Sequence, residues 1–255
     1  MVNPEIPAKT AAFSLNNLSG EDCGVIEIGP GFGALTVELC KIYKKVAAIE
    51  IDEKFGRYLN AALDRGNLEI IFGDFLKTDL KALTAREFPG IKHITVCANL
   101  PYYITKPAIL KIIREPFDAV TVMVQKEAAD KLRAKPGDAD YCEISALVSY
   151  FGEAEKLFDA PRSDFYPQPS VVSSVVRIIP RRTCAPENES LFFKIIAAAF
   201  GQRRKTFVNA VSSSLGANKE KVSETVKEIT GNANIRGEEL DIKTFSDISD
   251  KLNAL

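Results

Sequence analysis

Val25-Ile26-Glu27-Ile28 is a short β-branched run that breaks into Gly29-Pro30-Gly31-Phe32-Gly33 and resumes as Ala34-Leu35-Thr36-Val37-Glu38-Leu39, apolar at helical spacing. A strand that turns on glycines straight into a helix opens a βαβ unit, and no other feature of the chain narrows its fold as much. The rhythm then repeats. Val46–Asp52 is a second β-rich run, ending in acids and leading into a helix through Arg57, Leu59 and Leu63. Leu68–Phe72 is a third, closed by Gly73-Asp74, and Ile94–Ala98 a fourth, closed by Asn99-Leu100-Pro101-Tyr102. Asp118–Gln125 reads as a fifth strand with a helix over Lys126–Ala134 behind it. Ile144–Phe151 fits either a strand or a helix, whereas Ser170–Ile179, β-branched throughout, fits a strand. Strands alternating with helices predict a doubly wound parallel α/β sheet covered on both faces.

Past Pro180 the pattern changes. LFFKIIAAAF, TFVNAVSSSL, KVSETVKEI and FSDISDKL all read as amphipathic helices joined by short polar links. The boundary falls near Ile179–Glu187, which predicts a cofactor-binding α/β domain over residues 1–182 and a small all-helical domain over 183–255. A chain of 255 residues with 46% hydrophobic and 26% charged residues has ample core for this, and disordered and fibrous classes are excluded. No apolar run approaches a membrane span of roughly 18 residues, and the N-terminus lacks a basic-then-apolar signal pattern. The five cysteines are scattered, odd in number and never in CxxC spacing, so a disulfide framework or a zinc site is not expected, and a reducing cytoplasm is. The chain is neutral overall, at −1, yet Arg162–Lys205 holds eight basic residues against three acids. A local basic stretch on a neutral protein is the footprint of a polyanion, or simply a solvated surface.

In an open α/β sheet, ligands sit beyond the C-terminal strand ends at the topological switch point. Glycines there let the backbone approach a ligand closely, a role that suits Gly29, Gly31 and Gly33. A tight turn with nothing bound is the plainer reading. Glu50 follows the glycines by roughly 20 residues, the spacing at which an acid accepts from ribose hydroxyls. Dehydrogenases and methyltransferases share both features, so the third and fourth strand ends decide. Gly73-Asp74 offers a carboxylate to an adenine amino group. Asn99-Leu100-Pro101-Tyr102 offers a side-chain amide, a stiffened turn and an aromatic ring together. Hydride transfer needs none of these.

Methylation of an exocyclic amine uses all of them. An adenine amino nitrogen is a poor nucleophile because its lone pair is delocalised into the ring. Attack on a sulfonium methyl requires rehybridisation with both N–H bonds directed at acceptors. The Asn99 side-chain oxygen and the Leu100 carbonyl are candidates, since Pro101 sets the turn that presents them. Tyr102 can stack on the base, as proteins that handle splayed-out bases do. No strong general base is required, and orientation carries most of the rate gain.

These residues, with Val124-Gln-Lys-Glu127, Phe165-Tyr-Pro-Gln-Pro169, Ala199-Phe-Gly-Gln-Arg-Arg-Lys-Thr206 and Arg236-Gly-Glu-Glu-Leu240, run in order along nearly the whole chain. In this combination the chain resembles the KsgA/RsmA family of ribosomal RNA adenine N6,N6-dimethyltransferases. The resemblance implies a class I S-adenosylmethionine-dependent methyltransferase fold, Rossmann-like with a mostly parallel seven-stranded sheet, plus a small C-terminal all-α domain. It implies that Gly29, Gly31, Glu50 and Ile51 hold the cofactor's amino-acid end and ribose, and that Asp74 and Phe75 frame its adenine. Asn99 would lie beside both cofactor and target. Leu100, Pro101 and Tyr102 would form the target-amine site, with Phe165 as a second ring sandwiching the base. The implied substrate is the 3′-terminal stem-loop of small-subunit rRNA in a pre-assembled 30S-type particle, where two adjacent adenosines become dimethylated. Arg203, Arg204 and Lys205 would help dock the RNA, and the enzyme would act as a cytoplasmic monomer.

The chain departs from that family in three places. The family opens with a basic segment and a Gln-Asn-Phe-Leu motif that folds over the cofactor, and Met1-Val2-Asn3-Pro4 stands about where that motif would have ended. Tyr103 replaces the commoner asparagine, and Ser170 and Val172 stand where Lys and Asp are usual. A macrolide-resistance type of large-subunit adenine methyltransferase, a non-catalytic rRNA-binding assembly factor and, more distantly, a nicotinamide dehydrogenase are the competing functions. Elsewhere the plain readings suffice. His93 and Cys97 read as structural, the basic triplet as a possible solvated helix end, and Pro136–Tyr141 as a mobile loop.

Overall fold

The computed structural model describes residues 2–62 and 66–253; Met1 and Leu63, both named above, lie outside them. A first helix, α1 (Glu5–Ser14), precedes β1 (Cys23–Ile28) and α2 (Ala34–Ile42), and β2 (Lys45–Glu50) is followed by α3 (Gly56–Ala62). Next come β3 (Leu68–Phe72), α4 (Leu80–Glu87), β4 (His93–Asn99), α5 (Thr105–Ile112), β5 (Ala119–Gln125) and α6 (Lys126–Arg133). Then α7 (Glu143–Phe151), β6 (Gly152–Ala160) and β7 (Ser173–Pro180) lead into α8 (Glu189–Gly201), α9 (Phe207–Leu215), α10 (Lys219–Thr230) and α11 (Ile242–Asn253).

The seven strands form one sheet in the order β3-β2-β1-β4-β5-β7-β6. β3 through β5 pair in parallel, with Val25 of β1 opposite Val46 on one side and Thr95 on the other. Every residue of β1 is buried, as a central strand covered on both faces requires. The order reverses between β1 and β4, so the crevice for a ligand lies at their C-terminal ends. β7 runs antiparallel to β5, Met123 facing Val175, so the sheet is mixed rather than wholly parallel.

Several elements carry no clear sequence signal. β6 is an edge strand rich in acids and lysine, mostly exposed or half-exposed, so it shows no apolar run. α1 buries Ile6, Pro7, Thr10, Ala11 and Ser14, a face too small and too polar to mark a helix by period, and packs against α2, β4 and β5. The Ser14 Oγ meets the Tyr43 hydroxyl at 2.8 Å, which meets Thr95 Oγ1 at 2.8 Å, a buried chain joining α1, the end of α2 and β4. His93 Nδ1 lies 2.8 Å from Asp118 Oδ1, and Cys97 is wholly buried, in keeping with structural roles for both.

The chain forms two compact units. One contains the residues up to Ala129 with Glu153–Pro180; the other contains Asp130–Gly152 with the chain from Arg181 onward. The second break falls beside the expected boundary at 182/183, but Asp130–Gly152, expected with the sheet, groups with the C-terminal helices. α7 explains this: it is a helix, buried on nearly every side, and packs on α8 and α11. Tyr150 lies 5.0 Å from the Phe192 ring and donates to Glu189 Oε1 at 2.6 Å. Pro136–Asp140 is an exposed stretch, as its composition suggests, but it is tied down at two points. The Gly137 N–H donates to the Glu238 carbonyl at 2.9 Å, and Tyr141, 1% exposed, donates its hydroxyl to the Leu240 carbonyl at 3.0 Å. The Arg236–Leu240 stretch that receives these bonds also needs Gly237, where a Cβ would lie 2.8 Å from the Ala199 Cβ.

Within β1, Glu27 is 1% exposed and its Oε2 has no hydrogen-bond partner among the described residues. Burial pushes its carboxyl up to about 8; the Thr36 hydroxyl opposes the rise and the Glu50 charge adds to it. Between the unfolded value near 4.5 and about 8, the folded chain keeps a proton that the unfolded chain releases. Its contribution to stability is therefore fullest below that window and falls as pH rises through it. Melting temperatures measured from pH 5 to pH 8 should decline more steeply for the wild-type chain than for Glu27→Gln, which has no proton to lose.

Candidate active site

Glu50, at the last position of β2 and 4% exposed, joins three strand ends. Its Oε2 accepts from the Gly31 N–H at 3.0 Å, its Oε1 from the Asp52 N–H at 3.0 Å, and its backbone carbonyl from the Gly73 N–H at 2.8 Å. One bond further back, the Gly29 N–H donates to the Ile49 carbonyl at 2.9 Å. The acid expected to meet a ligand is thus also the residue that holds the glycine turn in shape. Each carboxylate oxygen retains a second acceptor site for an incoming hydroxyl.

Gly29 and Gly31 adopt φ of +67° and +54°, open to glycine and strained for other residues. A Cβ built on either would meet nothing within 4 Å. The space beside the turn is a cavity of about 650 Å³, lined by Gly29, Gly31, Glu50, Ile51, Asp74 and Phe75 among others. Sequence reading anticipated those six, and the fold brings all of them together. Phe55, Ile104 and Pro107 also line it without a sequence signal, whereas Asn99, expected beside the cofactor, lines the neighbouring cavity and not this one. Ile51 is 66% exposed, an apolar side chain left open on the cavity rim.

Asp74 caps the short turn Phe75–Lys77, its Oδ1 accepting from the Leu76 N–H at 2.9 Å. Lys111 of α5 locks that turn from behind. Its Nζ donates to the Leu76 carbonyl at 2.8 Å and the Thr78 carbonyl at 2.5 Å, and lies 5.5 Å from the centre of the Phe75 ring. Nothing in the spacing of Lys111 reveals this; the contact joins residues more than thirty positions apart.

The fourth strand end forms a second cavity, about 460 Å³, lined by Asn99, Leu100, Pro101, Tyr102 and Phe165, with Tyr103, Pro167 and Pro169. Asn99 ends β4 with an exposed side chain, and the Leu100 N–H donates to the Met123 carbonyl at 3.1 Å. Pro101 has φ −56°, and its carbonyl accepts from the Ile104 N–H at 3.1 Å. Tyr102 is 44% exposed, whereas Phe165 is half-buried against the cluster of Ile6, Met123, Ala160 and Val175. Pro101 and Tyr103 line both cavities.

In the helical unit, Arg203, Arg204 and Lys205 occupy the turn between α8 and α9. They do not behave alike. The Arg203 guanidinium lies 3.3 Å from Glu238 Oε2 and donates to the Tyr141 carbonyl at 3.4 Å. Arg204 and Lys205 are exposed, and no carboxylate pairs with them among the described residues. Arg177 and Arg182, counted in the same basic stretch, pair with Glu155 and Glu189. The free positive charge is therefore smaller than composition suggests.

The strand order, the glycine turn braced by an acid and the cavity at the switch point define an α/β methyltransferase fold with a helical C-terminal part. The sequence pattern of the ribosomal RNA adenine dimethylase family matches residues 8–253, and the chain belongs to that family. It is 42% identical over 240 residues to the ribosomal RNA small subunit methyltransferase A of Geobacillus sp. (strain WCH70), covering 91% of this chain and 82% of that one. It is 43% identical over 261 residues to the protein of the same name from Anoxybacillus flavithermus, covering 99% and 87%. A dimethyladenosine transferase from Plasmodium falciparum matches with a TM-score of 0.78 at 28% identity, over 96% of this chain and 94% of that one. The 23S rRNA methyltransferase ErmE matches with a TM-score of 0.72 at 20% identity, over 98% of each, and shares the fold.

The cavity suits the cofactor of this family. The space facing Gly29 and Gly31 would be filled by side chains, and Glu50 and Asp74 present acceptors to ribose hydroxyls and an adenine amine. Glu50→Gln turns one acceptor into a donor facing a backbone N–H, a mismatch of about 1–3 kcal/mol. The melting temperature should fall by several degrees, because the mismatch burdens the unliganded fold, and calorimetry with S-adenosylhomocysteine should show binding weakened about tenfold or more.

Proposed function

We propose that this chain transfers methyl groups from S-adenosylmethionine to the N6 atoms of two adjacent adenosines in the 3′-terminal stem-loop of small-subunit rRNA. The observation that carries the reading is the adjacency of the two cavities. An amide, a proline-set turn and two aromatic rings line a space whose wall at Pro101 also bounds the cofactor cavity. The small-subunit methyltransferase names of relatives about 40% identical over most of the chain support it further.

The bound cofactor supplies a methyl group on a positively charged sulfur. The protein's own residues orient the acceptor. Tyr102 and Phe165 hold the extruded adenine between their rings, replacing the stacking it loses on leaving the RNA. The Asn99 side-chain oxygen and the Leu100 carbonyl accept the N6 hydrogens, two in the first transfer and one in the second, which turns the lone pair toward the methyl group. As the N–C bond forms the S–C bond breaks, S-adenosylhomocysteine leaves, and the cationic nitrogen releases its extra proton to water. The Leu100 N–H bond to the Met123 carbonyl and the Ile104 N–H bond to the Pro101 carbonyl fix the backbone that carries the Leu100 carbonyl. Orientation at short range supplies the remainder.

RNA docking involves the helical unit. Lys205, Asn209, Ser212, Ser213 and Lys219 line a cleft of about 500 Å³ that contains donors and no carboxylate, suited to a backbone phosphate. Arg204 lies next to it in sequence; Arg203, held by Glu238, braces the turn. The substrate is a pre-assembled small-subunit particle and the enzyme a cytoplasmic monomer; among the described residues no helix is long and apolar enough to cross a membrane.

Labelled methyl transfer from S-adenosylmethionine to small-subunit particles lacking the dimethyladenosines tests the reading. Dimethylation of both adenosines is expected, with Asn99→Ala lowering kcat about 10²-fold. Transfer to large-subunit RNA instead would favour the macrolide-resistance type. Particle binding without any transfer would favour a non-catalytic assembly factor. For docking, Lys205→Gln with Lys219→Gln should reduce the slope of log affinity against log salt by about 1–2, leaving kcat at saturating particle unchanged.

A further inference from the structure

Tyr103 belongs to the walls of both cavities, yet it packs against almost nothing: it is 81% exposed, the turn Tyr102–Ile104 carries it clear of the core, and its hydroxyl has no partner among the described residues. Pro101, which also borders both spaces, is rigid, with φ −56° and a carbonyl fixed by the Ile104 N–H. Tyr103 is thus a wall element able to reorient. On one side it stands with Phe75, Ile104 and Pro107; on the other with Tyr102, Phe165 and Pro167.

Resting on the function proposed above, we propose that Tyr103 is the residue through which cofactor and target adenosine sense one another, its ring contacting both when both are bound. An exposed aromatic side chain keeps its rotational freedom until a planar ligand lies against it. Whichever ligand arrives first orders the ring, and the second then meets a surface already set. Cofactor and RNA therefore bind with positive coupling, and by thermodynamic linkage each tightens the other by the same factor. The consequence for a site that must transfer methyl groups repeatedly is that cofactor is held most firmly when a target base is in place.

The experiment measures the Kd of S-adenosylhomocysteine for the full chain, alone and with saturating small-subunit particles lacking the dimethyladenosines, in the wild type, Tyr103→Phe and Tyr103→Ala. In the wild type and Tyr103→Phe, the particle should tighten binding about fivefold or more. In Tyr103→Ala the factor should fall close to one, while S-adenosylhomocysteine alone still binds, more weakly by the lost ring contact. Because the side chain is so exposed, melting temperature should not change and will show that the variant is folded. The reverse titration, particle affinity with and without S-adenosylhomocysteine, must return the same factor. Coupling of wild-type size in Tyr103→Ala overturns the proposal, and so does absence of coupling in the wild type. Methyl transfer to the same particles separates the second outcome from failure of the dimethyltransferase reading, since an enzyme with uncoupled ligands still transfers.

Discussion

Three strand ends meet on one residue, two of them through its carboxylate and the third through its backbone carbonyl. Glu50 receives the Gly31 and Asp52 N–H groups on its two oxygens and the Gly73 N–H on its carbonyl. Without its side chain, the Gly31 and Asp52 N–H groups would lose their shared acceptor, while the backbone bond to Gly73 would remain. A glycine-rich turn is inherently loose, because its residues gain conformational freedom in the unfolded and folded states alike. Bracing it with an acid from the neighbouring strand turns a permissive sequence into a defined surface, and leaves the same acid with acceptor capacity facing the ligand.

The second cavity follows a different principle. Its acceptors are held by backbone geometry rather than by charge. The Leu100 N–H beyond β4 bonds the Met123 carbonyl of β5, Pro101 sets the direction of exit, and Tyr102, Tyr103 and Phe165 line the space. Its lining holds an amide, a proline turn and aromatic rings with no carboxylate or histidine among them, and Tyr103 is left unpacked where the two cavities adjoin.

In the helical unit, aromatic packing and a few charged contacts do the organising. Tyr150 with Phe192 and Phe193, and Tyr141 with Phe200, bring α7 and the preceding segment onto the C-terminal helices. The Arg236–Leu240 stretch supplies carbonyls to Gly137 and Tyr141 and a carboxylate to Arg203. The basic triplet is exposed throughout, with Arg203 paired to Glu238 and no carboxylate on Arg204 or Lys205 among the described residues.

Period and punctuation by themselves determined the five parallel strands, the glycine turn, the acid after the second strand, the Asn99–Tyr102 turn and the four C-terminal helices. Each is a local pattern: side chains alternate or recur because one face must be buried, and glycine or proline stands where the backbone demands it. Family resemblance added Phe165, some sixty residues from Tyr102, which the fold places in the same cavity. Tertiary structure alone decided the rest. The edge strand β6 has no buried face to declare it, α1 hides a small polar-apolar face, and α7 is a short, largely buried run that fits a strand as well as a helix. Lys111 behind Phe75, Arg203 on Glu238, and Tyr103 between two cavities depend on contacts across tens of residues. Only the folded chain brings such partners within hydrogen-bond or ring-contact distance, and no local spacing encodes which of several lysines, arginines or tyrosines will be the one that arrives.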